Sequence, residues 1–307
     1  MESKIEYVGK VMLDYECYGG ADLYEDGSED ELLEIVSSTD VKDYNKIIEE
    51  KKSWPILYHL SDIRGNIVDW LPITKNDRVL EIGAGCGAIT GTLAKKAGQV
   101  DCIELSRKRS LVNATRNSEF ENINIHVGNF QDIEHTITNK YDYITLIGVL
   151  EYAASYIKAE NPYVEFLTII RKHLAPGGKI VVAIENKYGL KYWAGCKEDH
   201  LGTYYSGIEG YVGVDSVKTF SKNGLTKLAK DSGLPETVFY YPYPDYKLPL
   251  QIYSDDYLPK QGELINNLRN FDADRMIIFD ESKVYDGLIE DGMFDIFSNS
   301  FLVLMGE

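Results

Sequence analysis

The sequence is short of positive charge, of paired cysteines and of long apolar runs. Thirty-two Lys and Arg stand against 49 Asp and Glu, a formal net charge of -17, which opposes general attraction to phosphate backbones and anionic membranes. DNA and RNA are therefore not expected partners. The four cysteines, Cys17, Cys86, Cys102 and Cys196, form no C-x-x-C pair and no Cys/His zinc spacing, so reduced, mostly buried thiols are expected. No metal-ligand spacing argues for a bound metal and no metal residue is assigned, although the many acids leave a divalent ion open. No apolar run approaches the roughly 20 residues of a membrane span, and no basic-then-apolar leader opens the chain. A cytoplasmic protein without a membrane span is the expectation.

What is present is enough apolar material, 44% over 307 residues, to fill one large α/β domain with insertions. The chain is organised around Val79-Leu80-Glu81-Ile82-Gly83-Ala84-Gly85-Cys86-Gly87-Ala88. An apolar strand runs into alternate glycines and then a helical pattern, a turn at which a ligand can approach the main chain without meeting a Cβ. Gly83, Gly85 and Ala88 also satisfy the dinucleotide fingerprint, so an NAD(P)-dependent oxidoreductase is one reading. Glu81 discriminates: a carboxylate two residues before the first glycine repels a pyrophosphate and welcomes an ammonium. Roughly twenty residues on, Val100-Asp101-Cys102-Ile103-Glu104-Leu105 reads as the next strand, closed by an acid suited to both ribose hydroxyls.

The arrangement Glu81-x-Gly83-x-Gly85-x-Gly87 resembles the signature of class I S-adenosylmethionine (SAM)-dependent methyltransferases, and the resemblance is strongest over residues 54–183. Ahead of it, Tyr58-His59-Leu60-Ser61 and Arg64 resemble methyltransferase modules of bacterial surface-polysaccharide (O-antigen or S-layer glycan) enzymes. The resemblance implies an α/β, Rossmann-like, doubly wound, mostly parallel sheet of seven strands, the last antiparallel between the fifth and sixth. It implies SAM as cofactor, with Glu81, Gly83, Ala84, Gly85, Gly87, Glu104 and Leu105 around it. Arg64 would pair with the methionine carboxylate, and Tyr58 would be another cofactor-binding residue. Asn129 or Asp132 would receive the adenine amino group, with Phe130 as a wall, and Gly148, Val149, Glu151 and Tyr152 would lie near the transfer cleft.

Along the chain, residues 1–53 read as an acidic extension, a solvated cover outside the core, with Ser28 and Glu31 at capping-box spacing. Residues 54–241 read as the cofactor-binding core. Leu57, Leu60, Ile63, Ile67 and Leu71 predict one helix over 54–71, followed by strands at 79–82, 100–105, 123–127, 141–147, 179–185 and 237–241. His126 reads as a packed residue. Asn161-Pro162-Tyr163 lacks a proline of the amino-methylating motif and is set aside. Residues 186–214, aromatic and without a period, are the candidate substrate wall. Residues 242–292 read as an inserted lid or dimer contact, so a homodimer is one expectation, with a helix over 262–270. Residues 293–307 supply the last strand. The abrupt C-terminus suggests one module of a longer polypeptide.

The expected activity is O-methylation of a sugar hydroxyl on a bacterial surface glycan. A hydroxyl is a weak nucleophile at neutral pH and benefits from a base. His200 is the first candidate, with Asp199 beside it in sequence, and Glu151 and Glu185 are alternatives. A methyltransferase fold without activity, acting as a scaffold or regulatory module, is the competing reading from outside enzymes.

Overall fold

A computed structural model describes residues 4–22, 26–267 and 274–307. The chain divides into two compact units, Met1–Leu146 with His173–Lys179, and Ile147–Lys172 with Ile180–Glu307.

The first unit is built on strands β1 (Ile5–Val8), β2 (Val11–Asp14), β3 (Arg78–Ile82), β4 (Gln99–Glu104), β5 (Ile123–Val127) and β6 (Tyr141–Ile147). Their order is β1-β2-β5-β4-β3-β6, parallel from β2 through β6. Val79 and Leu80 are wholly buried and Ile82 nearly so, each such side chain contributing roughly 1.5–3 kcal/mol by leaving water. The chain leaves β3 toward β4 and β5, then returns to β6 on the other flank. Order therefore reverses at the carboxyl end of β3, where open α/β sheets hold ligands. The glycine loop begins there.

The N-terminal segment is not merely a cover. Val11-Met12-Leu13-Asp14 alternates, Val11 and Leu13 are fully buried, and β2 pairs in parallel with β5. This period-two signal is short, and the surrounding acids obscured it. The following helix, Glu29–Ser38, buries Leu32, Ile35 and Val36 in a cluster with Val112. Its expected capping box does not form. Ser28 makes no side-chain cap, and the buried Glu29 carboxylate instead accepts from the N–H groups of Asp26 and Gly27 and from Arg109 Nε at 2.9 Å. The predicted single helix over 54–71 is interrupted: helix Trp54–Leu60 ends at an extended Ser61, a 3-10 turn spans Asp62–Gly65, and a short helix Asn66–Asp69 follows. That break brings Arg64 back over the Tyr58 ring, 4.0 Å from its centroid.

The second unit uses β7 (Leu174–Glu185), whose last half lies in it, β8 (Glu236–Tyr243), β9 (Gln251–Ser254) and β10 (Ser300–Gly306) in the order β7-β10-β8-β9. β10 runs antiparallel to both neighbours, pairing Ser300 with Glu185 and Leu302 with Tyr240. The last strand thus takes the expected place. It starts later than residue 294, because Phe294–Phe297 forms a helical turn whose Phe294 ring packs on Tyr241, Tyr253 and Tyr285. The seven expected strands appear as β3 to β8 and β10, but the sheet has ten; β1, β2 and β9 are the additions. Of the helix expected over 262–270, residues 262–267 are not helical, and 268–270 lie outside the described residues. Among the described residues no helix is long and apolar enough to cross a membrane.

Candidate functional site

In the first unit the strand-to-helix turn is held open by backbone conformation. Gly83, Gly85 and Gly87 have φ of 72°, 54° and 75°, values that an L side chain adopts only with strain. The glycines differ in what surrounds them. A Cβ at Gly87 would collide with the Asn113 side chain, whereas one at Gly85 would meet nothing within 4 Å. Gly87 is a packing requirement, and Gly85 faces open space.

Both acids singled out in the sequence converge on this loop. The Glu104 carboxylate accepts from the backbone N–H of Gly85 at 2.7 Å and of Ser106 at 2.9 Å, which leaves lone pairs on each oxygen for further donors. Burial raises its pKa, and those N–H groups oppose the rise. Glu81 is also buried; Thr90 Oγ1 donates to it at 2.6 Å and Cys102 Sγ lies 3.5 Å away. Desolvation pushes Glu81 up to about 7 despite these bonds. A buried carboxylate in this state favours a cationic ligand that restores its charge. Asn113 Nδ2 donates to Thr90 Oγ1 at 3.0 Å, fixing the hydroxyl from behind.

The other residues assigned to the cofactor from sequence have these local surroundings in this unit. Arg64 is buried and donates to the Tyr58 hydroxyl at 3.1 Å. Asn129 caps the turn of helix Phe130–Ile133 through Gln131 N–H at 3.3 Å, and Phe130 is buried. Leu105 is partly buried. His126 packs in β5 and pairs with Asp14 at 3.1 Å. The open space at Gly85, beside a carboxylate with spare acceptor capacity, fits a nucleoside ligand with vicinal hydroxyls.

The second unit holds the predicted catalytic residues in one buried charged cluster. His200 Nε2 lies 3.3 Å from Glu185 Oε2, and His200 Nδ1 lies 2.9 Å from the Tyr152 hydroxyl. Burial by itself would lower the His200 pKa, but the Glu185 charge and hydrogen bond raise it to about 9. The imidazole is thus an imidazolium near neutral pH. Glu151 is 1% exposed, and among the described residues neither carboxylate oxygen has a hydrogen-bond partner; burial and the Glu185 charge push it up to about 8. Asp199 does not face His200. It pairs with Lys191 at 2.9 Å and Lys247 at 2.6 Å and accepts from the Tyr192 hydroxyl at 2.5 Å, and those ammonium groups hold it below the usual carboxylate range despite burial. Lys247 also pairs with Glu185, whose pKa falls well below normal although it is fully buried.

Sequence reasoning missed Lys191, Lys247, Asp245 and Glu198. Lys191 pairs with Asp245 at 3.1 Å, and Glu198 accepts from the His200 N–H at 2.8 Å. The available signal was a lysine set among apolar neighbours, in Gly189-Leu190-Lys191-Tyr192 and Tyr246-Lys247-Leu248. Gly148, predicted near the cofactor, lies in this unit and donates to the Ala183 carbonyl at 2.9 Å, with Val149 following.

Comparison with known proteins agrees with the loop geometry. Residues 80–180 match the family model described as "Methyltransferase domain". No curated protein matches the chain. Among solved structures, a SAM-dependent methyltransferase from Archaeoglobus fulgidus is 14% identical over 86% of this chain and 100% of its own, with a TM-score of 0.50. A SAM-dependent methyltransferase from Thermotoga maritima is 14% identical over 86% and 98%, with a TM-score of 0.46. A structure named precorrin 8w decarboxylase, from Methanobacterium thermoautotrophicum, is 25% identical over 40% of this chain and 62% of its own, with a TM-score of 0.33; the chain spans less than two thirds of that protein. The oxidoreductase reading falls with the family match. With strand, glycine loop and paired acids in this order, residues 80–180 carry a methyltransferase domain, and the chain shares the fold of SAM-dependent methyltransferases.

Proposed function

We propose that the enzyme methylates a hydroxyl on a sugar of a bacterial surface glycan. The observation that carries this reading is the segment that brings His200 to Glu185. It also leaves Trp193, Tyr204 and Tyr205 about 40% exposed, at 42%, 38% and 38%, and flat, partly exposed rings suit the apolar face of a sugar. The resemblance of Tyr58-His59-Leu60-Ser61 to surface-polysaccharide enzymes points the same way.

In this proposal Glu104 takes the ribose hydroxyls, Glu81 faces the cationic amino-acid end and Arg64, with Tyr58, takes the methionine carboxylate. Gly83, Ala84, Gly85, Gly87 and Leu105 form the bed, and Asn129 and Phe130 serve the adenine. Gly148 and Val149 stay in the assignment on the resemblance alone. Bound SAM supplies an electrophilic methyl carbon for in-line displacement. The chain's task is to orient the hydroxyl and receive its proton. Glu151, in its ionised form, is the acceptor for that proton: its raised value of about 8 suits a base, and among the described residues neither of its oxygens has a hydrogen-bond partner. His200, an imidazolium held by Glu185, steadies the charge that develops. Asp199, locked between two lysines, is a positioning residue.

The test is transfer of tritium-labelled methyl from SAM to nucleotide-sugars, isolated surface glycans, small amines and peptides in parallel. Label on a glycan or nucleotide-sugar hydroxyl is expected, falling at least a hundredfold in Glu151→Gln. Label confined to an amine or peptide would reject the sugar acceptor.

A further inference from the structure

Among the described residues, the buried cluster of the second unit contains more acid than its own cations balance. Glu151, Glu185, Glu198, Asp199 and Asp245 are met by Lys191, Lys247 and His200, five carboxylates to three cations. Four of these carboxylates have protein donors. Glu151 has none among the described residues, although it is almost completely buried. An ionised carboxylate left this way is costly, and a structure that keeps one calls for a proton, a ligand or a metal.

The geometry singles out the metal. One ligand atom each from Glu151, Glu185 and His200 lie within 4.8 Å of one another. Donors around a cation bound at about 2.0–2.2 Å sit roughly 3–4.4 Å apart, so small side-chain rotations close the set. Lys247 does not stand in the way: His200 faces Glu185 Oε2, while Lys247 engages Glu185 Oε1. The Tyr152 hydroxyl at His200 Nδ1 supplies the outer hydrogen bond that orients a ligating imidazole.

We propose that Glu151, Glu185 and His200 form a binding site for one divalent cation of the first transition row, with Mn²⁺ the best match. Two carboxylates and one imidazole, without a thiolate, suit an intermediate ion better than a soft one. Three protein ligands leave coordination positions for water or for oxygens of a hydroxylated acceptor. The site goes beyond the methyl-transfer reading and stands whichever acceptor is methylated; binding the ion displaces the proton from His200 Nε2 and engages Glu151, so the proton acceptor described above belongs to the metal-free chain. It escaped the sequence because its ligands come from the segment after β6, the end of β7 and the following loop, at no fixed spacing.

The test is calorimetric titration of the full chain with MnCl₂, alongside electron paramagnetic resonance of free Mn²⁺ and thermal melting. One Mn²⁺ per chain is expected, with a raised melting midpoint and at least a tenfold loss of affinity in Glu151→Gln. That variant preserves side-chain shape and breaks no hydrogen bond, and circular dichroism establishes that it folds. Glu185→Gln gives a second loss of binding if it also folds. Absence of saturable Mn²⁺ binding to the wild-type chain would overturn the site, as would Mn²⁺ affinity unchanged in Glu151→Gln.

Discussion

Glu81 shows how one buried acid at the glycine loop bears on stability. Its carboxylate lost water without gaining a full cationic partner, so desolvation raises it from an ordinary value of 4.5 to about 7. Between those values the folded chain holds a proton that the unfolded chain has released. Stability therefore falls as pH rises from about 4.5 to 7, by about 3 kcal/mol from this group. Glu81→Gln removes the titration, so the stability difference between variant and wild type should grow in the variant's favour over that window. Urea denaturation at a series of pH values measures it, and parallel curves would show that Glu81 is not desolvated as described. Glu81 was legible in the sequence because its position fixes it at the end of β3. Its pKa was not, because Thr90, Cys102 and the surrounding core are assembled only in three dimensions.

At the scale of elements, β4, the Glu104 carboxylate and the next helix form one device. Ser106 caps helix Arg107–Arg116 by accepting from Arg109 N–H at 3.3 Å, while its own N–H donates to Glu104. Ser106→Ala removes the cap and retains the backbone donor. It should cost about 1 kcal/mol of stability while leaving SAM affinity within twofold; denaturation and calorimetry on the same protein separate the two. A large loss of affinity would mean that the hydroxyl, not only the N–H, shapes the acid. Strand and helix identities here were readable from apolar alternation and capping residues. β1 and β2 were not, since four-residue strands in an acidic stretch give little period, and β2 is stabilised by its place beside β5.

For the whole molecule, ligand selectivity is the informative measurement. A ligand that binds only the folded chain adds about 2.7 kcal/mol at 100 times its Kd. S-adenosylhomocysteine should therefore raise the unfolding midpoint by several degrees and NAD should not; equal shifts from both would undo the argument from Glu81. The net charge of -17 gives no help with acceptor choice beyond disfavouring polyanions. The sequence by itself determined the α/β order, the glycine turn and the two acids of the first unit. Each depends on residues close along the chain, where backbone conformation and periodicity act directly. Only the tertiary structure decided the partners of His200, the lysines locked around Asp199 and the isolation of Glu151. Those side-chain contacts join residues 8 to 62 positions apart, and their electrostatics depend on burial that no local pattern encodes.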